Sequence, residues 1–300
     1  MSIIRKYTKP KKSNPKKSNP KKSRRKQICS IKSKNKYTNC INKNALLKLA
    51  KIINKNYGKN IINTSTNTLH LSISKYFKRK HGCNTDMCWV NNIELIDNIP
   101  KGLIKEIKSY FKPTKPKSWK SNKNTWLTNI DINNVLNQYQ GKYKHFYYFG
   151  AVPDDFNLKS GDRCLVSKLC KFNLSDFKGY DSFSIVFNTD PSTKGGEHWT
   201  ALYVDLIGKN KKKPCIYYFD SVGIGPSDNV LKLITKIQSQ SNNKLKYEYN
   251  QTSHQKENTE CGIYVIHFII SMLKGISFNK YTKNKKSDKF IEKFRGIYFN

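Results

Sequence analysis

The chain is 300 residues long and carries 57 Lys and Arg against 20 Asp and Glu, a formal net charge of +37. Hydrophobic residues make up 37% and aromatics 12%, which excludes wholesale disorder despite a mean hydropathy of −0.72. No apolar run reaches the roughly 18–20 residues needed to span a bilayer; the longest, 262–273, is interrupted by His267 and Ser271.

Two sources account equally well for the charge. One is a polyanionic partner such as nucleic acid, bound through counterion release and therefore salt-sensitive and sequence-independent. The other is the Lys-, Asn- and Ile-rich composition of an AT-rich genome. The first 26 residues hold twelve basic residues and no acid, and PKKSN at 10–14 repeats at 15–19 and, as PKKS, at 20–23. A Pro every fifth residue and like-charge repulsion predict a disordered basic tail over 1–27. A nucleic-acid arm, a nuclear-import signal and a plain solubilising tail all fit it, and it lacks the apolar core of a secretory signal. Eight cysteines without such a signal predict reduced thiols in an intracellular chain. Cys83 and Cys88 with His81 nearby hint at a metal site, but the gap is four residues and no second pair follows. No metal site is expected.

In chain order, 44–57 places Leu46, Leu47, Ala50, Ile52 and Ile53 at helical spacing, and 68–80 and 103–111 read as further short helices. The Pro/Lys/Ser/Asn stretch 112–124 reads as a linker. A helical N-terminal region over 40–111 is therefore expected before a larger α/β domain over 120–300, with Met87–Trp89 packed between the two. Residues 125–139 read as a helix with Leu127, Ile130, Val135 and Leu136 on its apolar side. Aromatic and β-branched content predicts strands at 146–152 and 183–189, then a hairpin from 198–208 to 214–222. Ser227 and Asp228 open a helix over 226–240 with Val230, Ile234 and Ile237 on one face. Residues 244–250 alternate as a strand, and 261–273 is apolar nearly all round, as a buried helix is.

Four residues carry the chemistry of a thiol hydrolase. Such an enzyme needs an activated sulfur, a base that later delivers a proton, and donors for the developing oxyanion. Cys261 opens the apolar helix, where a helix N-terminus favours thiolate, and Gly262 after it leaves room for a substrate backbone. His198 starts one strand of the hairpin, and Asp220 ends its partner, where it would orient the imidazole. Gln255 lies six residues before Cys261, on the loop leading into the helix, with an amide suited to an oxyanion. Singly, each is more ordinary: a core Cys, a surface His, a turn Asp, a loop Gln. Together and in this order they are not.

The arrangement His198-Trp199, Asp220, Gln255 and Cys261-Gly262 resembles the ubiquitin-like-protein protease clan, which includes the SUMO-processing proteases and the adenovirus protease. TWLTNIDINNVL (125–136), FYYFGAVPDDF (146–156) and HWTALYVDL (198–206) look closer still to the core polyprotein proteases of large cytoplasmic DNA viruses, such as that of African swine fever virus. The clan resemblance spans about 120–275 and the viral one extends to about residue 40. It implies an α+β fold: a papain-like, SUMO-protease-like, circularly permuted core with a central mixed sheet flanked by helices, plus the helical N-terminal region. It implies His198 as base, Asp220 as orienter (Asn in some viral relatives), Cys261 as nucleophile, and Gln255 with the Cys261 backbone N–H as oxyanion donors. Trp126 and Trp199 match two tryptophans that clamp a Gly-Gly backbone, although both also read as core aromatics. Two departures stand out: Glu260 where the clan usually has Asp, and a longer, Lys-rich hairpin between His198 and Asp220.

The expected activity is that of a cysteine endopeptidase needing no cofactor. It would cut viral structural polyproteins or core proteins after small residues, at Gly-Gly-Xaa-like sites, during virion maturation. Its expected location is the host cytoplasm, at the virus factory, and the virion core, with the basic tail on nucleic acid. The alternatives are a deconjugase for a ubiquitin-like modifier and a DNA-binding packaging protein that uses the fold only as a scaffold.

Overall fold

A computed structural model describes residues 28–31, 33, 39–62, 64–210 and 213–300; the basic repeats expected to form a disordered tail lie outside the described residues. The first helices form where the apolar spacing is helical and a polar residue supplies the cap. Asn42 accepts from the Ala45 N–H to open α1 (Lys43–Tyr57), and Ser65 accepts from Thr68 to open α2 (Thr66–His81). After α3 (Asp86–Asn91) and α4 (Lys101–Lys108), these elements close on a cluster of their own that includes Leu46, Leu49, Ile53, Phe77, Trp89 and Ile107.

Trp89 is not a bridge to the rest of the chain, contrary to expectation. Its ring stacks on Phe77 at 5.3 Å inside this cluster, whereas Met87, partly buried against the cluster, also lines a cleft shared with Asn134, Asn137 and Gln138. The turn between α2 and α3, closed by a Cys83–Cys88 disulfide, directs the indole back onto α2. The same bond removes these two cysteines from metal binding. With Cys29–Cys40 and Cys164–Cys170 also paired, reduced thiols are overturned for six of the eight cysteines. Each pair is brought within 5.2–6.5 Å between Cα atoms, a proximity that spacing alone does not reveal.

The stretch 112–124 has a linker's composition but is pinned in place. The Lys112 N–H donates to Ile28 O, and the backbones of Lys115 and Pro113 bond that of Asn300. Buried Trp119 meets Phe299 edge-on.

Thr128 and Asp131 form a reciprocal capping box that starts α5 (Asn129–Lys142). Val135 and Leu136 turn inward as expected, but Ile130 faces solvent and Ile132 takes its place on the buried side. Strand β1 (Phe146–Val152) follows, then a small hairpin of β2 (Lys159–Ser160) and β3 (Arg163–Cys164) and a single turn, α6 (Ser167–Cys170). Next come β4 (Ser182–Asn188), β5 (Trp199–Asp205), β6 (Cys215–Asp220), α7 (Asp228–Gln240) and β7 (Lys246–Tyr249). The chain ends with α8 (Cys261–Leu273), α9 (Phe278–Lys283) and α10 (Asp288–Tyr298).

The five-stranded sheet has the order β1-β4-β5-β6-β7. It is mixed: β1 with β4 and β6 with β7 are parallel, while β5 is antiparallel to both neighbours. Strand periodicity sends Ala201, Tyr203, Tyr217 and Phe219 into one core with α5 and α8, and Leu202, Val204, Ile216 and Tyr218 into another with α7. Both faces are covered, which is why β4, β5 and β6 are buried along their whole length. The expected α+β fold with a central mixed sheet flanked by helices is the fold observed.

Candidate active site

The hairpin register does most of the assembly. Thr200 on β5 pairs with Asp220 on β6, so His198, two residues earlier, lies over the Asp220 carboxylate. Its Nε2 is 2.7 Å from Asp220 Oδ1, which also accepts the Val222 N–H at 2.9 Å. Cys261, at the N-terminus of α8, is the second group that acts on the imidazole. Burial works against a charged imidazole. The bonds and charges of Asp220 and Cys261 outweigh it and push the His198 pKa up to about 10. An imidazolium held against a thiol is the arrangement that generates a nucleophilic thiolate. Cys261 is 2% exposed whereas the His198 side chain is 20% exposed, so solvent reaches the pair past the imidazole.

Gln255 is fixed by the segment that follows Asp220. Ser221 O accepts the Gln255 N–H at 2.9 Å, and Ser221 Oγ donates to Gln255 Oε1 at 2.7 Å. One amide hydrogen of Gln255 goes to the Glu257 carbonyl, leaving the other unassigned. The loop can lie this close because Gly223 sits at φ +85°, and a Cβ there would stand 3.0 Å from backbone atoms of Ser253 and Thr252. Asn250 clamps the other side: its Oδ1 accepts the Asp220 N–H and its Nδ2 donates to Asp220 O.

The helix that opens with Cys261 is held from behind by a buried ion pair. Arg295 on α10 donates through Nε to both oxygens of Glu260 at 3.0 Å, and its Nη2 lies 2.8 Å from Oε1. The same guanidinium bonds the carbonyls of Thr125 and Thr259 and lies 4.7 Å from the Trp119 ring. Glu260 stands out in the sequence only as a departure from the clan's usual Asp, and Arg295, Asn250 and Ser221 give no signal there. Each acts across 30 or more residues of chain, where no local pattern signals it.

The two tryptophans differ. Trp199 is buried, its Nε1 donating to Leu127 O at 2.9 Å, whereas Trp126 is 45% exposed. Gly262 was expected to leave room for substrate, but Leu127 occupies that space: a Cβ on Gly262 would stand 2.9 Å from Leu127 Cβ. The glycine serves close packing between α8 and the segment ahead of α5. Among the described residues no cluster of His, Cys, Asp and Glu is arranged to hold a metal ion. No described helix is long and apolar enough to cross a membrane.

Residues 153–298 match the model of the Ulp1 protease family, C-terminal catalytic domain. The chain is 31% identical over 294 residues to a protein of Acanthamoeba polyphaga mimivirus named as a thiol protease, covering 91% of this chain and 93% of the relative. It is 27% identical over 250 residues to the cysteine protease of an African swine fever virus isolate (Tick/Malawi), covering 76% of this chain and 87% of that one. The crystal structure of the African swine fever virus protease superposes with a TM-score of 0.63 at 23% identity, over 92% of this chain and 96% of that one. That likeness shows a shared fold. The chain belongs to the Ulp1 protease family and is a cysteine protease.

Proposed function

We propose that Cys261 is the nucleophile of this protease, with His198 as its general base and acid, Asp220 as the residue that orients the imidazole, and Gln255 with the Cys261 backbone N–H as oxyanion donors. One observation carries the reading: His198 is hydrogen-bonded to Asp220, and Asp220 and Cys261 together raise its pKa to about 10 against the effect of burial. The Cys261 thiolate attacks the scissile carbonyl, and His198 passes its proton to the leaving nitrogen as the C–N bond breaks. Water then attacks the thioester, giving a proton to His198, and the thiolate departs.

Exposed Trp126 and the Trp199 indole tied at Leu127 O support a narrow passage for a Gly-Gly backbone. In this reading the substrates are structural polyproteins or core proteins of a virus, cut after Gly-Gly during virion maturation in infected cytoplasm or the virion core. The viral relatives support this assignment. The region over 40–111, with its own apolar cluster, is a substrate-recruiting or supporting unit beside a catalytic unit over 120–300, and the basic tail engages nucleic acid.

The test is cleavage of Gly-Gly-Xaa and Gly-Ala-Xaa reporter peptides by the purified full-length protein, with Cys261→Ala in parallel. Cleavage by the parent alone supports the assignment, and equal cleavage by both would remove Cys261. Several African swine fever virus relatives are named as SUMO-1 cysteine proteases, so SUMO and ubiquitin fusions belong in the same assay. Cleavage of those fusions but of no peptide would favour a deconjugase.

A further inference from the structure

The imidazole of His198 borders a second space besides the approach to Cys261. Together with Asp220 it forms one wall of a cavity of about 530 Å³ between the ends of β4–β6 and the start of α7. Phe187, Tyr218, Val222 and Ile224 supply apolar walls, and Ile224 forms an exposed lip at 65% accessibility. Asp154 lies in the lining. Its carboxylate accepts from Ser227 Oγ and, at 3.1 Å, from Asn229 Nδ2, while Asn157 Nδ2 bonds Asn229 Oδ1. A carboxylate offers about four acceptor sites, so capacity remains after these two bonds. No Lys or Arg among the described residues lines the cavity, in a chain where they number 57 of 300.

We propose that this cavity is the subsite for the leaving side of the substrate and takes a Lys or Arg side chain within the first two residues after the scissile bond. The inference rests on the role given above to His198. A group that protonates the leaving nitrogen must touch the residue carrying that nitrogen, so the chain beyond the cut departs along the imidazole and over this cavity. The aliphatic stem of a long cation lies against Val222, Ile224 and Tyr218, and its head reaches Asp154. Asp220 adds little net field because it faces the His198 imidazolium. A cationic side chain is thus accepted in a locally acidic cavity of a protein whose overall charge repels it.

The experiment compares kcat/KM of the full-length protein on matched Gly-Gly peptides carrying Lys, Arg, Ala, Leu or Glu at the first or second position after the cut. Lys and Arg should exceed Ala by about five-fold, the effect of a partly exposed ion pair, with Glu below Ala. Asp154→Asn should bring the Lys/Ala ratio near one. Because Asp154 also ties down the start of α7, Ile224→Lys at the exposed lip is the second variant, and it should turn the preference toward Glu. A flat profile, a Leu preference over Lys, or a preference unmoved in both variants would overturn the subsite. A readout without cleavage separates this from the reading of the reaction: fluorescence anisotropy of labelled product peptides beginning with Lys or Glu, on Cys261→Ala protein. Tighter binding of the Lys peptide, lost in the combined Ile224→Lys variant, with no peptide cleaved by the parent protein, would sink the proposed cleavage motif and uphold the subsite. Cleavage with no charge preference would sink the subsite alone.

Discussion

Arg295 is the residue whose removal most directly tests how the helix that opens with Cys261 is held. Its guanidinium makes a bidentate pair with Glu260, which is 3% exposed, and also bonds the carbonyls of Thr125 and Thr259. Arg295→Met keeps much of the apolar stem but strands a buried carboxylate next to Cys261. Breaking one side of a buried pair costs about 3–5 kcal/mol, which lowers the midpoint of thermal unfolding by roughly 6–15 °C in a protein of this size. Removing both charges, in Glu260→Met with Arg295→Met, abolishes the stranded charge, although the Thr125 and Thr259 carbonyls still lose a donor. The double variant should therefore be more stable than the Arg295→Met single, with a coupling of at least about 2 kcal/mol in the cycle. Circular dichroism melts give the stability, and peptide turnover reports whether Cys261 has moved. An Arg295→Met protein within about 1 kcal/mol of the parent, or strictly additive losses, would refute the argument.

Gln255→Ala should lower kcat by about 10²–10³-fold with little change in KM, as loss of an oxyanion donor does; full turnover would strike it from the site. Gly262→Ala should cost about 1–3 kcal/mol by forcing Leu127 aside, and should lower turnover because Leu127 O anchors Trp199; an unchanged melt would show that the contact relaxes freely. In the proposed mechanism the His198 proton goes to the leaving group, so activity should fall as pH rises through about 10, and Asp220→Asn should move that limb to lower pH in a pH–rate profile. Because the folded-state value is raised, the stability His198 adds is complete below about 6.5 and is lost over the same rise. His254 and His267 run the other way. Burial, then the charge of Lys286, pushes both down to about 4, with Lys285 acting further on His254 and Lys274 on His267. Their contribution is present above about 6.5 and lost as pH falls toward 4, at most about 3 kcal/mol each. Urea titrations at pH 7 and 4.5 should show it, and equal midpoints would count against it.

The elements legible in the sequence were those set by local physical chemistry. Ser227 ahead of Val230, Ile234 and Ile237 is enough to start and orient α7, since capping and helical periodicity act within a few residues. The same holds for the apolar run of α8 and for the hairpin that brings His198 to Asp220, where register follows from two strands and their turn. The placement of His198 beside Asp220, and of Cys261 at the start of its helix, was therefore readable, and with Gln255 these residues form the proposed set. Where long-range packing decides, the sequence was silent or misleading. Ile130 is apolar yet exposed, because contacts with β1 and α8 select the Ile132, Val135 and Leu136 face. The cysteine pairs and the pinning of 112–124 by the chain's last residue depend on which segments meet in space. The clamp of Asn250 on Asp220, the grip of Arg295 on Glu260 across 35 residues, and the cavity behind His198 arise only once sheet and helices close on one another. Sequence by itself pointed to the groups proposed for the chemistry; tertiary structure decided which backbone holds them still, because that support comes from partners no local pattern can name.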